Sequence, residues 1–443
     1  MPAALAHRLR TATRETVGGL PSAFWWLWMS TLVNRLGSFV VTFLALYLTV
    51  NRGFSPAFAG LVASLFGLGG SIAAVAGGVL ADRIGRRPTL LAAQTSAAAA
   101  TLVLGLVHPA WAIAASAAVL GFTSNASRPA VSAIMADLVP QQDRVRAFSL
   151  NYWAINIGFA FSAAVAGLIA AHGFLYLFVG DAATTLLCAL VVFARVPETK
   201  PETRPETGPQ AKPDARGGAA SRSATASATP AVGLGAVLRD PVFMSLVGLT
   251  FLLACVDGQG SMALPIVMGH QGYSATDYGL VVALNGLLIV LLQIPLTRAV
   301  EGRSRALMLA IAALLTGCGF GLTAFAGSAW FYALTVAVWT GGEMLRAPAG
   351  MALVVELSPV HARGRYQGVY SLAWSGASFL APLTAGFLLT AWGGSAVWLS
   401  CTLLGAVAAV GYVWLLRGRV TATRETVTVA TSENPRATAE RAS

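Results

Sequence analysis

The chain has 443 residues, of which 56% are apolar and only 11% charged, with a formal net charge of +11. Soluble domains carry about a quarter charged residues, so an ordinary water-soluble protein is excluded. The basic residues fall in short segments between long apolar runs, which excludes a nucleic-acid surface and makes the lipid bilayer the partner.

The apolar runs are long enough to cross a hydrocarbon core of ~30 Å. Backbone groups in lipid must pair within their own element, and these segments are too long for barrel strands, so the fold class is an all-α membrane protein. The four cysteines stand singly inside apolar segments and have neither metal-ligand nor disulfide spacing.

In chain order, residues 1–22 form a basic tail, and twelve membrane helices are expected at 23–50, 55–81, 88–107, 110–136, 146–171, 174–194, 241–268, 275–298, 305–326, 328–356, 364–391 and 395–416. The first run is too long, and lacks the cleavage pattern, to be a signal peptide. Gly, Pro or charge marks most of the breaks. This divides the chain into bundles 23–194 and 241–416, joined by a flexible linker, 195–240, rich in Pro, Ser, Thr and charge, and followed by a tail, 417–443. Nearly all of the 29 Lys and Arg residues lie on one side of this topology, which places both termini in the cytoplasm and the protein in the plasma membrane.

Between the second and third helices the sequence reads GGVLADRIGRRP, from Gly77 to Pro88. Asp82, Arg83, Arg86 and Arg87 are too costly for hydrocarbon and require a surface loop, while Gly78 and Gly85 permit close approach and a tight turn. The stretch resembles the loop of the major facilitator superfamily, G-x-L-A-D-R-x-G-R-(R/K). A shift of 219 residues then places Asp82 on Glu301, Arg86 on Arg305, Pro129 on Pro348 and Asp137 on Glu356. One constant offset across separate loops and helices implies two parallel six-helix pseudo-repeats, as in that superfamily. The resemblance also implies that Asp137 bridges to Arg86 or Arg87. It further implies that Asp82 caps the eleventh helix when the loop side is closed, with Glu301, Arg305 and Glu356 as a weaker second latch.

No Walker loop, dinucleotide fingerprint or nucleophile elbow is present, so neither an enzyme nor a cofactor is expected. The informative residues are polar groups within the membrane, which usually face a cavity or a partner. Thr31, Arg35, Ser38 and Thr42 share one face of the first helix, beside Asn34. Arg35 either lines a central cavity or pairs to anchor its helix. Asn125 and Arg128 mark the fourth helix, where Arg128-Pro129 either meets substrate or holds a bend. In the tenth, Glu343 and Arg346 stand three residues apart, so they either neutralise each other or leave Glu343 to exchange protons. Asp257 is the second proton candidate, and Asp181 pairs only with a helix end. Trp153, Asn156, Gln259, Asn285 and Trp374 complete the expected cavity.

The export signature of drug–proton antiporters, G-x-x-x-G-P-x-x-G-G, is weakened in the fifth helix to Gly158, Ser162, Ala163, Ala166 and Gly167. The repeat at Ala377, Ala381, Pro382, Ala385 and Gly386 keeps the proline. Asn34-Arg35 resembles part of the E-x-x-E-R motif of proton-coupled peptide transporters, without either acid. The preferred expectation is a monomeric secondary transporter that exports a small amphipathic compound in exchange for protons. The alternatives are an importer of an anionic nutrient or peptide, and a non-transporting receptor or scaffold.

Overall fold

The computed structural model describes residues 18–200, 234–359 and 362–433. The other parts of the expected tails and linker, residues 1–17, 201–233 and 434–443, lie outside the described residues. The first six membrane spans are Ser22–Asn51, Pro56–Ile84, Arg86–Leu106, Ala110–Leu138, Arg144–Ala170 and Phe174–Arg195. The second six are Pro241–His270, Ala275–Ala299, Arg305–Leu322, Ala329–Leu357, Arg363–Trp392 and Gly394–Glu433. Ten of these are apolar enough over sufficient length to cross a bilayer. The fourth and tenth are equally long, at 29 residues each, but carry Arg128 and Glu343–Arg346 mid-helix. A helix that lines a polar interior needs less lipid-facing apolar surface.

Local chemistry sets the ends of the spans. Ser55 caps the second with Pro56 in its first turn, and Ser274 and Asp277 form a reciprocal capping box on the eighth. Asp240 accepts from the Val242 and Phe243 amides at 3.1 and 3.0 Å to start the seventh. Gly85, at φ 109°, turns the chain between the second and third spans, where a side chain would be strained. The twelfth helix continues to Glu433, past the expected end at 416.

Two spans are not the continuous helices expected from their apolar runs. The first breaks after Leu36 and resumes at Val40, and the seventh breaks at Gly258–Gly260 and resumes at Ala263. At the first break Asp181 accepts from the Val40 amide at 3.1 Å, and Ser162 donates to the Ser38 carbonyl at 3.1 Å. Any Cβ on Gly37 would run into the Thr184 side chain, so the first and sixth spans approach closely there. Shifted by 219 residues, the first break falls at 256–258, next to the second at 258–262, so both halves interrupt their first span in nearly the same place. Interrupted spans at matched positions are the geometry from which many secondary transporters build a mid-membrane site.

The halves meet along two equivalent seams, the second span on the eleventh and the fifth on the eighth. Small residues let the backbones touch: a Cβ on Gly60 would come within 3.0 Å of the Gly386 Cα, and one on Gly279 within 3.0 Å of the Gly167 Cα. Hydrogen bonds between the halves are Ala57 N–H to Thr390 Oγ1 at 3.0 Å, Thr276 Oγ1 to the Gly167 carbonyl at 3.0 Å, Tyr278 OH on the eighth span to the Thr42 carbonyl of the first at 3.2 Å and Ser71 Oγ to the Ser375 carbonyl at 3.3 Å. The first three lie at or toward the end opposite the Gly77–Pro88 loop, and the last is at mid-depth. At the loop end each half carries an ion pair of its own among the described residues, Arg86 with Asp137 and Arg305 with Glu356. Among the described residues, these hydrogen bonds between the halves gather toward the end opposite the loop.

Candidate substrate cavity

Between the halves lies a cavity of about 860 Å³, walled by both interrupted spans and by the second, fourth, fifth, eighth, tenth and eleventh spans among others. From the expected set, Asn34, Arg35, Asn125, Arg128, Asn156, Asn285 and Trp374 line it, together with both proton candidates, Asp257 and Glu343. The remaining four do not. Thr31 donates back to the Leu27 carbonyl at 3.1 Å, one turn before the lining begins. Gln259 is buried behind the seventh-span break, donating to the Cys255 carbonyl at 3.0 Å. Trp153 stands on the exposed side of the fifth span. Arg346 is buried behind the wall, only 6% exposed.

Arg346 decides the electrostatics of the second half. Its Nη2 donates to Asp257 at 2.5 Å, and its guanidinium lies 4.8 Å from the Trp374 ring centroid. The ion pair is thus across helices, tenth to seventh, and not along the tenth with Glu343. Sequence spacing puts Glu343 and Arg346 on one face, but the face turns Arg346 toward the seventh-span break. Glu343 instead accepts from Asn285 Nδ2 at 2.9 Å, and Asn285 also donates to Thr340 Oγ1 at 3.0 Å. Asp257, expected in the outer half of its helix, is a wall residue of the central cavity. Asp181, assigned only a helix-end contact, does make one at the first-span break, yet it too lines the cavity.

The first half differs. Among the described residues, neither Arg35 nor Arg128 has a hydrogen-bond or ion-pair partner for its guanidinium, and both line the cavity. Asn34 Nδ2 donates to Thr185 Oγ1 at 3.3 Å, and Asn125 Nδ2 to the Gly121 carbonyl at 2.8 Å, so the neighbouring amides are committed elsewhere. Gln94, on the third span, was missed by the sequence reading; it lines the cavity with its Oε1 unbonded. A lone Gln in an Ala-rich run offers little signal.

At the loop, Arg86 pairs with Asp137 and the repeat pairs Arg305 with Glu356, so both contacts recur at the 219-residue offset. Gly78 packs against nothing nearby, and Glu301 and Asp82 are exposed. Among the described residues the N-terminus of the eleventh span has no side-chain cap, so the expected Asp82 cap is not formed. An acid from the linker occupies the loop instead. Glu198 accepts from the Arg86 and Arg87 amides at 3.0 and 3.1 Å, and Lys200 Nζ donates to the Arg83 carbonyl at 2.6 Å. Arg87 also donates to the Phe193 carbonyl and sits 5.1 Å from that ring's centroid. Partial burial pushes the Glu198 carboxyl up, but four backbone N–H donors, from Lys200, Arg86, Arg87 and Thr199, outweigh it and hold the group below its ordinary value. The linker is therefore anchored at its start rather than free from residue 195.

The profile of the Major Facilitator Superfamily matches residues 27–345 and 260–440. The chain belongs to this superfamily. Its members are transporters and not enzymes. The chain is 24% identical over 397 residues to a Na(+), Li(+), K(+)/H(+) antiporter of Planococcus maritimus, covering 85% of this chain and 91% of that protein. It is likewise 24% identical to the multidrug resistance protein MdtH of Cronobacter sakazakii, over 80% of this chain and 83% of that one. Among solved structures, a POT family transporter in complex with 5-aminolevulinic acid superposes with a TM-score of 0.71 at 18% identity, covering 90% of this chain and 96% of that one. The nucleoside transporter NupG superposes at 0.72 with 16% identity, over 89% and 100%. These superpositions establish the shared fold.

Proposed function

We propose that this transporter exports a small amphipathic organic compound in exchange for protons, by alternating access. The observation that carries the reading is the placement of Asp257 and Glu343 in the wall of a cavity at the two interrupted spans. A carboxyl group at membrane depth is costly unless it does something there, and moving a proton is the simplest such task. The bundles 23–194 and 241–416 are taken to rock as rigid bodies about the seams. The loop end is taken as cytoplasmic from its basic residues, and the state described as the one open to the cytoplasm and ready to load substrate. Protonation of Asp257 would release Arg346, and protonation of Glu343 would change its bond with Asn285. Either event alters contacts among the seventh, eighth and tenth spans, which is how a proton would bias the rocking. Antiporter and multidrug names among relatives support the exchange mode. The chain is taken to work as a monomer, since both halves of the cavity come from one copy.

The test is purified protein in liposomes with an imposed pH gradient. Glu343→Gln and Asp257→Asn are expected to lower gradient-driven transport by at least tenfold while substrate equilibration without a gradient persists. Unchanged pH-driven transport in both variants sinks the coupling assignment. Accumulation in right-side-out rather than inverted vesicles would make the protein an importer.

A further inference from the structure

Two cationic side chains share the first-half wall of the cavity, and neither forms an ion pair among the described residues. Arg35 lies in the last turn before the first-span break, and Arg128 lies one residue before Pro129 in the fourth span. Both open onto the cavity, and neither has a partner among the described residues. The acids on the walls are engaged elsewhere: Asp257 with Arg346, Glu343 with Asn285, and Asp181 with the Val40 amide. The first and fourth spans touch, and two like charges on their cavity sides at membrane depth repel. A structural role would have supplied each with a carboxylate or a ring of carbonyls, as Arg346 and Arg52 have; Arg52 donates to Tyr47 OH and to two carbonyls. Arg35 and Arg128 instead line the cavity without such partners among the described residues.

We infer that Arg35 and Arg128 together bind one acidic group of the substrate, a carboxylate, sulfonate or phosphonate. The substrate is then an amphipathic organic anion. Its charged end sits on the first-half wall, where planar guanidinium forks match a two-oxygen anion. Its apolar body lies against Phe66, Phe159 and Trp374, which line the same cavity. This rests on reading the cavity as the transport path and holds for either direction of transport.

The experiment is calorimetric titration of the full chain in lipid nanodiscs, with empty nanodiscs as the blank. The probes are 2-naphthoate and 2-naphthalenesulfonate, against the uncharged 2-naphthamide. The two anions are expected to bind at least tenfold tighter than the amide. Arg35→Gln and Arg128→Gln are each expected to weaken anion binding by about 10- to 100-fold, the loss of one charge-assisted contact, with amide affinity unmoved. Arg35→Lys and Arg128→Lys are expected to fall between, and they stand in if the Gln variants do not fold. Equal affinity for anion and amide, no anion binding up to millimolar concentration, or anion affinity indifferent to both arginines overturns the inference. Anion binding that needs both arginines, without pH-driven transport, would instead defeat the proposed function and leave this site standing.

Discussion

Arg346 and Asp257 form a buried pair, 6% and 21% exposed at their side chains, in the thickness of the membrane. Removing one member of such a pair leaves the other charge buried without compensation, which costs about 3–5 kcal/mol, whereas replacing both by apolar groups is often neutral. Arg346→Met is therefore expected to lower unfolding free energy by about that amount. The double variant Asp257→Leu/Arg346→Met should recover most of it while abolishing proton coupling. Denaturant unfolding of the three proteins in the same detergent measures both effects. A double variant as unstable as the single one would show that the pair does more than neutralise itself. The same cycle separates Arg346 from Glu343, since Glu343→Gln leaves the ion pair intact and should leave stability nearly unchanged.

The turn between the second and third spans is an element held from two sides. Gly85 sets its backbone, Arg86 ties it to Asp137 on the fourth span, and Glu198 covers the two amides that open the third. A carboxylate over free helix N–H groups is favoured by both hydrogen bonding and the helix dipole. Because the folded-state value of Glu198 lies below its ordinary 4.5, its contribution is complete above that value. It is lost as pH falls through the lower, folded-state value. Hydrogen exchange at Arg86 and Arg87, corrected for intrinsic rates, should therefore accelerate on acidification below pH 4.5. In Glu198→Gln the faster exchange should be present already at neutral pH. Equal protection in the two proteins at neutral pH would remove the linker from the account of this loop.

At the scale of the whole molecule, two six-helix halves touch along seams made of glycine and alanine. The seal opposite the basic loop depends on Gly60 and Gly386 meeting backbone to backbone. Gly60→Val cannot close that seam without displacing the eleventh span, and overpacking of this kind costs about 1–3 kcal/mol. Applied to one state of a two-state equilibrium, that shifts the ratio of closed to open by about 5- to 150-fold. Accessibility of a cysteine placed at Ala57 to a membrane-impermeant thiol reagent should rise accordingly, against a background in which the four native cysteines are replaced. An unchanged labelling rate would mean that the seam is not the gate.

Much of this was legible in the residues. The spans, the loop, the 219-residue repeat and some of the charged and polar residues that line the cavity follow from hydropathy, helical periodicity and the expense of charge in lipid. Those are properties of single segments. The spacing of Glu343 and Arg346 suggested a pair along one helix, but the structure joins Arg346 to Asp257. In low dielectric a charge pairs with whichever opposite charge packing brings within reach, and sequence distance does not record that. The breaks at Gly37 and Gly258 were hidden for a related reason: an apolar run reads as continuous whether or not Asp181 and Ser162 wait on neighbouring helices to take up its freed backbone groups. Glu198 was read as part of an unstructured linker because composition describes what a segment cannot bury, not what it can cap. Composition and pattern determined by themselves that this chain is a twice-repeated helical membrane protein, since each segment must satisfy lipid alone, and the resemblance of its Gly77–Pro88 loop added transport. Only the tertiary structure decided which charges are paired and which are left facing the cavity, because that depends on the meeting of helices far apart in the chain.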